Sequence, residues 1–304
     1  MNIYLPIAET TVNILSILAL GGIIGFFSGL YGIGGGIIST PLLILYGINP
    51  AIAVGTASVQ ILSSGFSRTL RNMRDGHVDF SIAFIMFIGG MVGSSVGAYI
   101  LNYTNQIGVS SILICAMYSV VMSMLIVAIV INIVKSLVTN KSINNEIIMP
   151  EEVEERGVLS KFSWFARKSF IAQTDYNVVG MLCLGVVVGA VGAIMGVGGA
   201  VICVPALMIF LKMTMRDAAA TGLLQTVLVA VNIAVLQTLN GNVDIVLALI
   251  IITSSSITVH IGSKASIVIK KEIVQASMAV VASILLAKFL ITLFKEPASK
   301  FFVE

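Results

Sequence analysis

Two short glycine- and proline-containing segments carry the residue types in this sequence best suited to binding chemistry. Gly25–Pro41 reads GFFSGLYGIGGGIISTP, and Gly189–Pro205 reads GAVGAIMGVGGAVICVP. Glycines such as Gly34, Gly35 and Gly36 can take positive φ angles, which expose consecutive backbone N–H groups. A helix that begins after such a turn adds the positive end of its dipole. The two segments therefore predict a binding site for a small anion, built from backbone donors.

Uncharged polar side chains follow each glycine segment. The first copy continues with AVGTASVQ and the second with AAATGLLQ, and each places a threonine and a glutamine four residues apart on one helix face. We predict that these side chains add donors to the anion site, with hydrogen bonding between helices as the competing interpretation. The predicted substrate-binding residues are Gly34, Gly35, Gly36, Thr56, Gln60, Gly198, Gly199, Thr221 and Gln225.

The same motifs show that the chain contains a twofold internal repeat. The paired glycines and the prolines align at an offset of 164, and the threonine and glutamine pairs align at 165. Further along, DGHVDF matches NGNVDI in the same register, which pairs Asp79 with Asp244. Such order and duplication predict two transmembrane repeats, residues 1–135 and 176–304, joined by a polar linker over 136–175.

The composition is that of an all-α polytopic membrane protein, with the lipid bilayer as its surroundings. The chain has 304 residues, of which 58% are hydrophobic and only 10% are charged, whereas a soluble domain carries about a quarter charged residues. Its two longest charge-free stretches, residues 10–67 and 80–134, each exceed the roughly 20 residues that one membrane helix needs. We predict segments over 10–31, 37–46, 50–71, 79–101, 108–134, 177–195, 200–211, 216–239, 244–263 and 273–294.

The distribution of basic residues indicates how the two repeats are oriented. Arg68, Arg71 and Arg74 follow the third segment, whereas the equivalent loop of the second half, TLNGNVD, has no basic residue. Basic loops face the cytoplasm, so the copies are predicted to have inverted topology, as in many secondary transporters. The linker, which is also basic, is predicted to be cytoplasmic.

The second segment of each half is too short to cross a bilayer. Residues 37–46 form at most about 15 Å of helix. The preceding glycine run is therefore either a break in a helix or the tip of a re-entrant hairpin, and the sequence leaves both open. Non-helical backbone at membrane depth requires surrounding protein or a polar cavity.

The doubled GxGGxxxxxP element, followed in each half by TxxxQ and GxVD, resembles the sulfite exporter TauE/SafE family of membrane permeases over roughly residues 15–290. The resemblance implies transport of sulfur-containing anions, such as sulfite, thiosulfate or organosulfonates, across a bacterial inner membrane. The second copy departs from the pattern at Ala200, where the first has Gly36. We expect a secondary transporter that works by alternating access. An anion channel, or a transporter of another small oxyanion or carboxylate, is the alternative.

Several other partners and activities are not expected. No nucleotide-binding motif appears, so the energy is expected to come from an ion or substrate gradient, with proton or sodium as the coupling ion, or from a partner protein. Three cysteines without CxxC spacing and two histidines predict no metal, no cofactor and no enzyme activity. No nucleic acid partner is predicted, and the oligomeric state is left unknown. Asp79 and Asp244 are predicted helix N-caps, with proton coupling as the alternative.

Overall fold

The computed structural model describes residues 2–31, 35–139, 166–168, 175–269 and 271–295. Most of these residues are helical, which confirms the all-α prediction. The helices are α1 Ile14–Tyr31, α2 Gly36–Leu45, α3 Pro50–Arg74, α4 Phe80–Gln106, α5 Ser110–Thr139, α6 Val178–Met195, α7 Ala200–Leu211, α8 Met215–Leu239, α9 Ile245–Val268 and α10 Lys271–Lys295. Two antiparallel strand pairs accompany them, β1 Asn2–Leu5 with β2 Thr10–Asn13, and β3 Ala166–Lys168 with β4 Asp175–Asn177.

The first predicted segment was wrong at its start. Residues 10–13 form strand β2, which pairs with β1 in a hairpin, and helix α1 begins only at Ile14. The sequence TTVN is rich in β-branched residues, which favour a strand over a helix. The other helices begin and end within about five residues of their predicted limits.

Seven of the described helices are long and apolar enough to cross a membrane, namely α1, α4, α5, α6, α8, α9 and α10. This confirms a polytopic membrane protein. Helices α2 and α7 are short and apolar. Helix α3 has 25 residues but is less apolar, because its second half carries Arg68, Arg71 and Arg74.

The helices of the two halves pack against each other in an exchanged pattern. Helix α1 packs on α9, and its repeat counterpart α6 packs on α4, while α3 packs on α8 and α5 on α10. Glycines allow the first two pairs to approach closely. An added Cβ at Gly25 would lie 2.6 Å from the Cα of Ser255, and one at Gly93 would lie 2.8 Å from the Cα of Val186. Exchanging the two halves leaves this set of contacts unchanged.

Helices α3 and α8 run antiparallel. The beginning of α3 lies beside the end of α8, since an added Cβ at Gly55 would be 2.9 Å from the carbonyl carbon of Asn242. At the opposite end, the backbone N–H of Asp79, just after α3, donates to Oγ1 of Thr221 near the beginning of α8, at 3.0 Å. Helices α3 and α8, which are equivalent in the two halves, therefore point in opposite directions.

Helices α1 and α2 form a hairpin. Helix α2 ends at the same end of the helix bundle at which α1 begins. Gly21 lies beside Ile251 and Gly29 beside Ser263, so α1 runs parallel to α9 from the beginning of that helix. Helix α2 then leads back to the beginning of α3, which adjoins the loop before α9. Of the two possibilities that the sequence left open, this geometry favours the re-entrant hairpin over the broken helix.

Candidate functional site

The tips of the two glycine hairpins contact each other at the centre of the helix bundle. Helix α2 begins at Gly36, and an added Cβ there would lie 2.8 Å from the Cα of Val197 and 3.0 Å from the carbonyl oxygen of Gly196. Tyr118 of α5 joins both tips, because its hydroxyl donates to the carbonyl oxygen of Met195 at 2.7 Å and lies 3.4 Å from that of Gly36. A side chain at position 36 would not fit at this distance.

The second tip has the left-handed backbone that its glycines predict. Gly198 has a φ of 72° and Gly199 a φ of 88°, and Gly196 before them has a φ of 69°. The first N–H groups that bond within α7 are those of Ile202 and Cys203, both to the carbonyl oxygen of Gly199. As at any helix start, the preceding N–H groups have no partner within the helix and face outward from its positive end. Replacement of the third glycine by Ala200 does not prevent this turn.

The first tip differs from expectation. Gly35 has a φ of −73°, in the right-handed helical region, and caps α2 as its preceding residue. Gly34 lies outside the described residues. Close approach provides the reason for a glycine at position 35: an added Cβ would lie 2.8 Å from Nε2 and 2.9 Å from Oε1 of Gln60. The side-chain amide of Gln60 therefore lies directly against the tip.

The four predicted threonine and glutamine side chains are all completely buried, at 0% exposure. Among the described residues, Oγ1 of Thr56, Oε1 of Gln60 and both amide atoms of Gln225 have no hydrogen-bond partner. Thr221 differs, because its Oγ1 accepts the backbone N–H of Asp79. Burying an unsatisfied polar atom costs about 1–3 kcal/mol. Three of the four side chains thus have unused capacity to bind a polar ligand.

The two glutamines occupy different surroundings despite the repeat. Gln60 contacts the first tip at Gly35, whereas Nε2 of Gln225 faces α4, 3.2 Å from the position of an added Cβ at Gly90. The structure therefore brings Gly35, Gly36 and Gln60 together with the second tip, and it places Gln225 toward α4.

One residue beside the second tip was missed by sequence reasoning. Thr226 follows Gln225, its Cγ2 would lie 2.6 Å from an added Cβ at Gly198, and its Oγ1 is buried without a partner among the described residues. Its repeat counterpart is Ile61, whose Cδ1 packs against Gly36. A search for matched residues could not find Thr226, because the polar residue is present in only one copy.

Comparison with known proteins assigns the chain to a family. The family model described as "Sulfite exporter TauE/SafE" matches residues 17–289, which includes both glycine hairpins and both TxxxQ helices. The chain belongs to the TauE/SafE family.

Relatives of the TauE/SafE chain carry transporter names. The probable membrane transporter protein YunE of Bacillus subtilis (strain 168) is 26% identical over 249 residues, which cover 79% of this chain and 84% of that protein. A probable membrane transporter protein of Xylella fastidiosa (strain 9a5c) is 34% identical over 93 residues, 30% of this chain and 36% of that protein. Probable membrane transporter protein YjnA of Bacillus subtilis (strain 168) is 35% identical over 88 residues, 29% and 35% of the two chains. No solved structure matches significantly.

The aspartates of the GxVD motif in this TauE/SafE member cap helices, as predicted. Oδ1 of Asp79 accepts the N–H groups of Ser81 and Ile82 at 3.0 and 3.2 Å, and Oδ1 of Asp244 accepts that of Leu247 at 3.0 Å. Asp244 has a second role that the sequence did not indicate.

That second role is to hold the amino-terminal strand pair in place. Oδ2 of Asp244 accepts the N–H groups of Ile7 and Ala8, in the turn between β1 and β2, at 3.1 and 3.3 Å. The carboxylate thus fixes the β1–β2 hairpin against the beginning of α9.

Proposed function

We propose that this protein is a secondary transporter that moves small sulfur-containing anions, such as sulfite, thiosulfate or organosulfonates, across the bacterial inner membrane. The observation that carries the proposal is the meeting of two glycine hairpin tips beside Gln60 and Thr226, where the Thr226 hydroxyl, which can donate to an anion, is buried without a partner among the described residues. A small oxyanion with a few hydrogen-bonding oxygens is matched by backbone N–H groups and by neutral side-chain donors such as Nε2 of Gln60 and Oγ1 of Thr226. The transporter names of the relatives agree with this class of function.

The helix arrangement supports inverted repeats and alternating access. Helices α3 and α8 are equivalent and antiparallel, and the contacts between the halves are unchanged when the halves are exchanged. Folds with this symmetry expose a central site to each side in turn by rocking one repeat against the other. We place the linker, residues 136–175, in the cytoplasm, and a proton or sodium ion is the proposed coupling ion.

The contact between the tips favours a carrier over an open channel. Backbone atoms of Gly36 and of Gly196 and Val197 are in van der Waals contact, so the tips must move apart to admit an anion. A channel would conduct without such a step and would show no counterflow exchange.

A flux assay in proteoliposomes tests the proposal. Purified protein is tested with labelled sulfite, thiosulfate, sulfate, methanesulfonate and acetate, in uptake and in counterflow. Gln60→Leu, Gly35→Val and Gly199→Val are compared with Gln237→Leu, which replaces an equally buried glutamine near the end of α8 that donates no group to the tips. Gln237 instead accepts the side-chain amide of Asn242 through its Oε1.

We expect counterflow of at least one sulfur oxyanion, a tenfold or greater loss in the three tip variants, and near-normal transport by Gln237→Leu. Transport that survives all three tip changes unaltered would place the site elsewhere. Acetate as the preferred substrate would refute the proposed substrate class, and current without counterflow would refute the carrier mechanism.

A further inference from the structure

Helix α3 carries a row of polar side chains that leads from the central site to its basic end. Gln60, Ser64 and Arg68 follow one another at intervals of four residues, which places them on one face. Nε2 of Gln60 donates to Oγ of Ser64 at 3.3 Å, and that hydroxyl donates to the carbonyl oxygen of Gln60 at 3.2 Å. Arg68 lies about 12 Å along the helix from Gln60, and its side chain leans back toward it.

The guanidinium of Arg68 is bound to the end of helix α1. Nη1 donates to the carbonyl oxygen of Ser28 at 2.6 Å, and Nη2 donates to that of Gly29 at 3.5 Å. The hydroxyl of Ser28 is buried without a partner among the described residues. The Arg68 guanidinium therefore lies at the end of helix α1, just before the first hairpin tip along the chain.

The charge of Arg68 is not balanced by a carboxylate in the described part of the chain. The ion pairs found there join His77 to Asp217 and Arg216 to Asp75. A half-buried cation without a carboxylate partner is costly to keep, so its presence calls for a functional reason. Such a group is suited to bind an anion, because a guanidinium offers five donors in a fixed planar array.

The second repeat shows that the fold does not need this row. In the register that pairs Gln60 with Gln225, the counterparts of Ser64 and Arg68 are Val229 and Ile233, both completely buried. The counterpart of α1, helix α6, ends without an arginine, because Gly196 at its C-cap donates to the carbonyl oxygen of Gly192. Of the two equivalent helices, α3 carries the row of polar side chains and α8 does not. A function that differs between the two sides of the membrane requires such an asymmetry.

We propose that Arg68 recruits the anionic substrate on the side predicted to face the cytoplasm and passes it along Ser64 to Gln60. This inference rests on the proposed function and names a specificity-determining residue for it. A guanidinium attracts a dianion more strongly than a monoanion. Arg68 therefore sets the preference for doubly charged oxyanions such as sulfate and thiosulfate over singly charged methanesulfonate.

Transport kinetics in proteoliposomes test the role of Arg68. The variants are Arg68→Gln and Arg68→Lys, with Arg71→Gln as the matched control, since Arg71 is exposed one turn further along α3. We expect Arg68→Gln to raise the KM for thiosulfate at least tenfold, with a smaller change for methanesulfonate and in kcat. Arg68→Lys should recover most of the loss, and Arg71→Gln should behave as wild type.

Other outcomes separate this inference from its alternatives. If Arg68→Gln lowers only the melting temperature, with the ratio of KM values for the two anions unchanged, then Arg68 merely holds α1 in place and the inference is wrong. Wild-type protein that transports none of the anions would instead refute the proposed function.

If the glutamine variant does not fold, phenylglyoxal modification of Arg68 in the wild type provides a second test. Thiosulfate should slow the modification at least threefold, and modification at the same rate with and without thiosulfate would overturn the inference.

Discussion

The contact between the hairpin tips can be tested by adding a single methyl group. In Gly36→Ala, the new Cβ would lie 2.8 Å from the Cα of Val197 and 3.0 Å from the carbonyl oxygen of Gly196. Both of these neighbours are backbone atoms of a buried turn, so neither can rotate away as a side chain would. The methyl group must therefore separate the two tips.

The change in stability of Gly36→Ala depends on two opposing contributions, overpacking at the contact and the higher helix propensity of alanine. Ordinary van der Waals contact begins near 3.4 Å, so the second tip must retreat by about 0.6 Å. Overpacking of this kind costs about 1–3 kcal/mol, whereas exchanging glycine for alanine in a helix contributes up to about 1 kcal/mol of stability. The free energy of unfolding is therefore expected to fall by about 1–2 kcal/mol, which lowers the melting temperature by roughly 2–8 °C.

The matched control is Gly22→Ala in helix α1. There the nearest atom to an added Cβ is Cγ2 of Thr258 at 3.7 Å, which is ordinary contact, so the helix-propensity gain should leave the melting temperature unchanged or raise it. The measurement is thermal unfolding in detergent together with anion flux in proteoliposomes. We expect Gly36→Ala to lose at least tenfold in transport rate and Gly22→Ala to lose none. A Gly36→Ala protein with wild-type stability and flux would show that the tips do not touch in the working protein.

Three further predictions follow from the fold. Asp244→Ala removes an N-cap and both hydrogen bonds to Ile7 and Ala8 and should cost about 2–4 kcal/mol; Asp244→Asn keeps a capping oxygen and should lose less, and equal losses in thermal unfolding would contradict the second role. Gly93→Ala should weaken the contact of α4 with α6 by about 1–3 kcal/mol, because its Cβ would lie 2.8 Å from the Cα of Val186, and a wild-type melting temperature would refute that contact. Accessible tags in the loops RNMRDGHVD and TLNGNVD should label from opposite faces of the membrane, and labelling from one face would refute the inversion.

The sequence was informative about the architecture because the membrane restricts the choices. Apolar length alone predicts helices, and the ten residues of α2 are too few to cross, so a hairpin or a break was required. The structure favours the hairpin through long-range contacts, such as Gly55 with Asn242, which no local pattern contains. The β1–β2 hairpin was missed because residues 10–13 adjoin an apolar run and were assigned to it.

The site was less predictable than the fold, because a repeat in sequence does not guarantee a repeat in conformation. Gly199 has the expected left-handed backbone and Gly35 does not, although both precede a short helix. Thr226 stands beside the second tip where its counterpart Ile61 is apolar. Matching the two copies selects the residues that they share, so it overlooks any residue by which one half differs.

The lengths of the short helices predict that the tips meet near the centre of the bilayer. Helix α2 has 10 residues and α7 has 12, which correspond to about 15 and 18 Å, and together they are just long enough for the roughly 30 Å of a hydrocarbon core. With the predicted inversion, the two hairpins enter from opposite faces of the membrane, and each short helix is then expected to occupy about one leaflet. The hydroxyl of Thr226, which has no partner among the described residues, is then held at the depth where water is scarcest and where an unmet hydrogen bond is most costly. A bound anion can accept a hydrogen bond from that hydroxyl only after the tips separate, so opening of the contact and binding of the substrate are coupled by the same few atoms.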